Sequence, residues 1–328
     1  MKTSRLSRRA LCMAALCASG LLGTLPARAQ AFPSKPIRLV IPAPPGGSTD
    51  TIGRVLGRVI QEQTGTVVVI DNKVGASGSI GVLNVVRSPA DGYTILLSVP
   101  DAVTIYPLVN KDVPYRGEKD LTPITLAAST YMVYAIEGKS PAKTLAEFLN
   151  LAKGGQLNYA TQGAGTTGHL MMEQFKSSTG AKLTHVPYKG IAPAMMAVMA
   201  GETSIIATSP ASLRPFLASG QLKAVASTRA TRAEGLPNLT TMAESGYPDV
   251  IMQAWFGVFA PPNLNEGVAD KLNEIILAAI RSPEFRKQAD NLNLEVQPVS
   301  RHEFGKMLTA DSARWKTLVD SAKIRVDE

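Results

Sequence analysis

Three glycine-rich segments hold the residues best suited to meeting a ligand: PPGGSTD at 44–50, GASGS at 75–79 and GAGTTG at 163–168. Glycine lets the backbone approach a bound molecule closely. The N–H groups left unpaired at a helix start attract an anion. A phosphate and a carboxylate satisfy that geometry equally. GAGTTG has the G-x-G-x-x-G spacing of a dinucleotide fingerprint. Two observations oppose a nucleotide. The segment lies in the middle of the chain, and no Asp or Glu follows about 20 residues on, where LTHVPY sits, to hold a ribose. For a single loop, glycine shaping a tight turn is a sufficient reading. Three such loops, each between a strand and a helix, favour an anion site. Asp50 reads first as a carboxylate complementing a helix dipole, ahead of a ligand contact.

Other chemistry finds little support. His169, His185 and His302 form no H-E-x-x-H motif and no i, i+4 pair, so no metal site is expected. GASGS misses the nucleophile elbow G-x-S-x-G at its fifth residue, Ser79. His169, close to a helix start, reads as a capping or packing residue. No nucleophile with a paired base is visible, so no catalytic residue and no cofactor are expected. An exported hydrolase is the weakest alternative.

These loops need a compartment and a scaffold. The chain begins with Lys2, Arg5, Arg8 and Arg9, continues through a short apolar run and reaches Ala27-Arg28-Ala29. That pattern is a secretory signal, read as residues 1–29 and too short for a membrane span. Ser7-Arg8-Arg9 leaves twin-arginine export open beside the general route. Removing 29 of 328 residues leaves 299, and it also removes Cys12 and Cys17. Thiol and disulfide chemistry are therefore not expected. The net charge falls from +8 to +3, which removes most of the apparent case for nucleic acid. The expected product is a periplasmic protein with no nucleic-acid partner.

The rest alternates strands and helices. IRLVI (37–41), TVVVI (66–70), TILLS (94–98), LNYAT, SIIAT and KAVAS are short apolar runs, as in buried strands. Ile52, Val55, Leu56, Val59 and Ile60 recur at helical spacing, as do Leu272, Ile275, Ile276, Ala279 and Ile280. Repeated strand–loop–helix units predict an α/β fold on mostly parallel sheets. About 300 residues exceed one comfortable core. Two domains are expected, one from 30–129 plus 253–328 and the other inserted as 130–252.

FPSKPIRLVIPAPPGGSTD, VVVIDNKVGASGSIG, ADGYTILLS, NYATQGAGTTGHL, VPYKG, AGETSI, GYPDV and AWFGVFAPPN follow one another across the mature chain. In this order they resemble the Bug-type (TctC-like) periplasmic solute-binding proteins of the tripartite tricarboxylate transporter family. The resemblance implies a periplasmic-binding-protein fold, type II-like, with a ligand cleft between two α/β domains. It implies a small carboxylate cargo, a membrane permease of one small and one large subunit, and a monomeric receptor. A receptor that docks on a membrane sensor kinase is the alternative. By position, Pro45, Gly46, Gly47 and Ser48 form one carboxylate loop, and Gly163, Gly165 and Thr166 the other. Ser77, Ser98 and Thr161 are implied supporting hydroxyls. Tyr188 either stacks on an aromatic ligand or packs within its domain. After Gly201 the family pattern carries acids where this chain has Ser204 and Thr208. If Thr208 lines the cleft, a partner for a ligand ammonium is missing, and a dicarboxylate, tricarboxylate or aromatic acid is favoured. Valine at Gly47 or Gly165 is expected to block backbone approach and to oppose any positive φ.

Overall fold

The computed structural model describes residues 32–250 and 252–324. The expected signal at 1–29 lies outside the described residues. Every element named below belongs to one unit that starts at Lys35. In chain order these are β1 (Ile37–Ile41), α1 (Ser48–Thr64), β2 (Val68–Asn72), α2 (Ser79–Val86), β3 (Thr94–Ser98), α3 (Tyr106–Val109), α4 (Gly117–Asp120), β4 (Thr122–Tyr131) and β5 (Val133–Glu137). Then follow α5 (Leu145–Gly154), β6 (Leu157–Thr161), α6 (Thr167–Thr179), β7 (Leu183–Pro187), α7 (Ile191–Met199), β8 (Ile205–Thr208), α8 (Pro210–Ala218) and β9 (Leu222–Ser227). The chain closes with β10 (Gln253–Ala260), α9 (Glu266–Ile280), α10 (Pro283–Asn291) and α11 (Arg301–Ala322).

The strands form two five-stranded sheets, ordered β2-β1-β3-β10-β4 and β7-β6-β8-β5-β9. The expected mostly parallel sheets are in fact mixed. β1 runs parallel to β2 and β3, and β6 parallel to β7 and β8. β10 is antiparallel to both its neighbours, and so is β5. The reason lies in the connections. A parallel pair needs a long crossover, here a helix. β4 instead runs into β5 through Met132 alone, and β10 brings the chain back to the first sheet.

The apolar runs form strands because both faces of the sheets are covered. Leu39, Val40 and Ile41 in β1 and Ile95, Leu96 and Leu97 in β3 are fully buried. β2 begins two residues later than the apolar run TVVVI. It is an edge strand, and its pairing with β1 sets Val68 opposite Ile37 and Asn72 opposite Ile41. Val69 is correspondingly half exposed. α1 buries Ile52, Val55, Leu56, Val59 and Ile60, the spacing read from the sequence. One apolar cluster continues from Val40 and Leu96 through Tyr106 and Tyr115 to Tyr134 and Tyr159 in the second sheet and Phe175 in α6. α11 starts at a capping box, in which Ser300 and Glu303 satisfy each other's backbone amides. It lies against β4, the turn at 101–105 and α6, and so touches elements of both sheets.

Candidate functional site

In both sheets the predicted loops leave the carboxyl ends of parallel strands. β1 ends at Ile41 and the loop with Pro45, Gly46, Gly47 and Ser48 follows, all four exposed. α1 has Gly47 as its N-cap and no side-chain cap. Its first ladder bond is Thr51 N–H to Gly47 O, which leaves the amides of residues 48–50 ahead of the ladder. The positive φ of this loop is at Gly46 (+88°). Gly47 has φ −74°, ordinary extended backbone, so the expected conformational demand moves one residue back. Asp50 braces the loop from beneath. It accepts from Gly46 N at 2.9 Å, Arg54 Nε at 2.8 Å and Asn72 Nδ2 at 2.9 Å. The Arg54 hydrogen bond, chiefly, holds the Asp50 carboxyl at about 2. Ser77 lies exposed in the turn Ala76–Gly78. Ser98 is fully buried at the end of β3, opposite Gly257, and its hydroxyl donates at 3.5 Å to the carbonyl of Val99.

The second sheet presents Thr161, Pro187 and Thr208 at the ends of β6, β7 and β8. The GAGTTG loop is bonded mostly to itself. Thr161 Oγ1 donates to Gly163 O at 3.1 Å, and Thr166 Oγ1 donates to the same oxygen at 2.8 Å. Thr166 is the N-cap of α6 and accepts from His169 N. Gly165, at φ +69°, donates its amide to His169 Nδ1 at 3.0 Å. An Nδ1 that accepts must carry no proton, which fixes the ring as the Nε2–H tautomer. His169 stacks on His185 with centroids 3.9 Å apart, and His185 stacks on Tyr159 at 4.9 Å. His185 Nε2 lies 2.7 Å from Thr161 Oγ1, and the Tyr159 hydroxyl donates to Glu173. Burial, with His169 beside it, lowers His185 to about 4, and burial lowers His169 as well. Both rings are therefore neutral supports of the loop at ordinary pH. Tyr188 donates its amide to Thr161 O at 2.9 Å and packs on the apolar cluster around Tyr131, Val133 and Ala160. Thr208 is buried opposite Val133.

Thr161, Gly163, Gly165, Thr166 and Tyr188 thus come together with Thr208 at one sheet edge. Pro45, Gly46, Gly47, Ser48, Ser77 and Ser98 lie at the corresponding edge of the other sheet. A residue not singled out from the sequence connects the two groups. Asp101 follows β3 as the first residue of a wide turn, Asp101–Ile105. Its Oδ1 accepts from Thr167 N at 2.5 Å and from Thr167 Oγ1 at 2.8 Å. Burial pushes its carboxyl up, against the lowering effect of the two Thr167 bonds. The available signal was an acid three residues beyond TILLS, at the same kind of strand end as the glycine loops.

Two cavities lie elsewhere. One of about 940 Å³ is lined by Glu266, Asp270, Arg301 and Lys306 among others. One of about 500 Å³ is lined by Arg229, Trp255, Glu295 and Arg314 among others. No glycine-loop residue lines either. Among the described residues no cluster of three His, Cys, Asp or Glu could hold a metal ion. None of the described helices is long and apolar enough to cross a membrane.

Comparison with known proteins places this geometry in context. The profile described as "Tripartite tricarboxylate transporter family receptor" matches residues 52–324. Protein BugT of Bordetella pertussis is 34% identical over 260 residues, 78% of this chain and 80% of BugT. The structure of R. palustris Rpa4515 with adipate superposes with a TM-score of 0.79 at 30% identity, covering 90% of this chain and 99% of that one. MatC (Rpa3494) from Rhodopseudomonas palustris with bound malate gives a TM-score of 0.76 at 25% identity, covering 88% and 100%.

Proposed function

Because the chain belongs to the family of tripartite tricarboxylate transporter receptors, we propose that it captures a small carboxylate between its two sheets and delivers it to a two-subunit membrane permease. Membership in a receptor family sets the hydrolase alternative aside. The observation that carries the cargo class is the seat at the start of α6. A carboxylate already rests there in the folded chain, that of Asp101, on the amide and hydroxyl of Thr167. A helix start that holds one carboxylate has the donors and the field to hold another.

In this reading the two sheets act as the two domains, 30–129 with 253–328 and 130–252, and the cargo lies between their loop edges. Gly46, Gly47 and Ser48 form one wall, with the amides of the first turn of α1. Gly163, Gly165 and Thr166 shape the other. Pro45 and Ser77 flank the first wall, and both are exposed. Ser98, Thr161 and Thr208 support from strand ends, and Tyr188 works chiefly as packing. A dicarboxylate suits two facing helix starts, and the adipate and malate carried by the two structural relatives support that size and charge. The receptor works as a monomer in the periplasm after removal of its signal.

A thermal-shift screen against dicarboxylates, tricarboxylates and aromatic acids tests the proposal. A ligand at 100 times its dissociation constant adds about 2.7 kcal/mol of stability, and mass spectrometry should recover it unchanged. A folded protein that no carboxylate stabilises at millimolar concentration would overturn it.

A further inference from the structure

We propose that Asp101 is a built-in competitor of the cargo: it seats its own carboxylate on the start of α6, ties the end of β3 to the second sheet, and must swing away before a cargo carboxylate binds there. The proposal rests on the carboxylate-receptor reading and adds a residue that sets its affinity.

The geometry is specific. One oxygen, Oδ1, receives both the amide and the hydroxyl of Thr167, 66 positions further along the chain. Asp101 stands three residues after the end of β3 in the first sheet, while Thr167 opens α6, which follows β6 of the second. The bond therefore joins the two loop edges. Two other amides at this helix start are engaged within their own loop. Gly165 N–H is held by His169 Nδ1, and His169 N–H by Thr166 Oγ1. Thr167 is the residue whose donors reach across to the other sheet.

One amide and one hydroxyl cannot serve two carboxylates fully, and two carboxylates at hydrogen-bond range repel. Burial raises the Asp101 carboxyl, and the two Thr167 bonds oppose that rise by favouring the charged form. While Asp101 is seated, the binding-competent fraction of the receptor is reduced, and apparent affinity falls in proportion. A dicarboxylate gripped at its far end by the α1 loop has the second anchor needed to displace Asp101. A monocarboxylate lacks it. The contact thus filters cargo by the number of carboxylates.

The test needs no knowledge of the natural cargo. Acetate is the probe, at neutral pH, with the Thr167 amide followed by NMR in wild type, Asp101→Ala and Asp101→Asn. In the unliganded wild type this amide should be protected from hydrogen exchange, and in Asp101→Ala it should lose that protection. Acetate should then shift the Thr167 amide in Asp101→Ala with an apparent dissociation constant at least tenfold lower than in wild type. Asp101→Asn keeps an oxygen for Thr167 without the charge and should fall between; it decides the matter if the alanine variant does not fold. Equal acetate responses in wild type and variants overturn the proposal. A weaker response in the variants, or none in any protein, overturns it too, because the vacated position would then be no carboxylate seat. A failed cargo screen leaves these readouts untouched, so the two readings fail separately.

Discussion

Gly46 and Gly47 are adjacent, yet the structure asks different things of them. Gly46 sits at φ +88°, where a side chain meets its own backbone. Gly47 is extended, and a Cβ there would meet only Pro44 O, at an ordinary contact distance of 3.7 Å. Gly46→Val should cost about 2 kcal/mol in urea denaturation. Gly47→Val should cost less than about 1 kcal/mol, the scale of an N-cap change. Equal losses would contradict the assigned backbone. Gly165, at φ +69° and bonded to His169, should not tolerate valine. That variant should bind carboxylate at least tenfold more weakly by calorimetric titration, a loss of about 1.4 kcal/mol. Asp50 gives a pH signature. Its folded carboxyl, about 2 against an ordinary 3.8, adds stability that is complete above pH 4 and is lost as pH falls towards 2. The exposed Arg54 partner is screened by solvent, so about 1–2 kcal/mol is expected. Subtracting the stability curve of Asp50→Asn from that of wild type should recover this loss in that window, and a flat difference would contradict the bracing role. The glycine loops were legible from their local motifs and their places between apolar strand and helix runs. Asp101 and the His169–His185 stack were not, because each joins residues whose spacing matches no local motif, and only the folded sheets bring them together.

At the level of elements, the short apolar runs identified most strands because sheets covered on both faces need continuous apolar sequence. β4 and β10 were harder to read. TPITLAASTY mixes proline, threonine and serine with its apolar residues, and its burial comes from pairing with β10 and from α9 and α11 laid against it. The antiparallel course of β10 was hidden for a related reason, since strand direction is set by the connections and leaves no mark on composition. The docking of α11 supplies a test. Asp311 Oδ2 accepts from the indole N–H of Trp255 in β10 at 2.9 Å and of Trp315 in α11 at 2.8 Å. Asp311→Ala would leave two buried donors unsatisfied, at about 1–3 kcal/mol each. The variant should lose about 2–5 kcal/mol in denaturant unfolding, with tryptophan emission shifted to the red in the native state. Wild-type stability would mean that the helix is held by apolar packing alone.

At the scale of the whole molecule, the proposed receptor requires one dicarboxylate to span two helix starts that belong to different sheets. The fold supports this through a continuous core and through α11, which packs against both β4 and α6. The most direct test is an NMR titration with whichever dicarboxylate stabilises the protein most, following the backbone amides of both walls together. The amides of Ser48 and Thr49 at the start of α1, and of Thr167 and Gly168 at the start of α6, should shift along one binding isotherm, with one ligand per chain. Shifts confined to a single wall, or centred on the cavity beside Trp255 and Arg314, would contradict the two-walled carboxylate site.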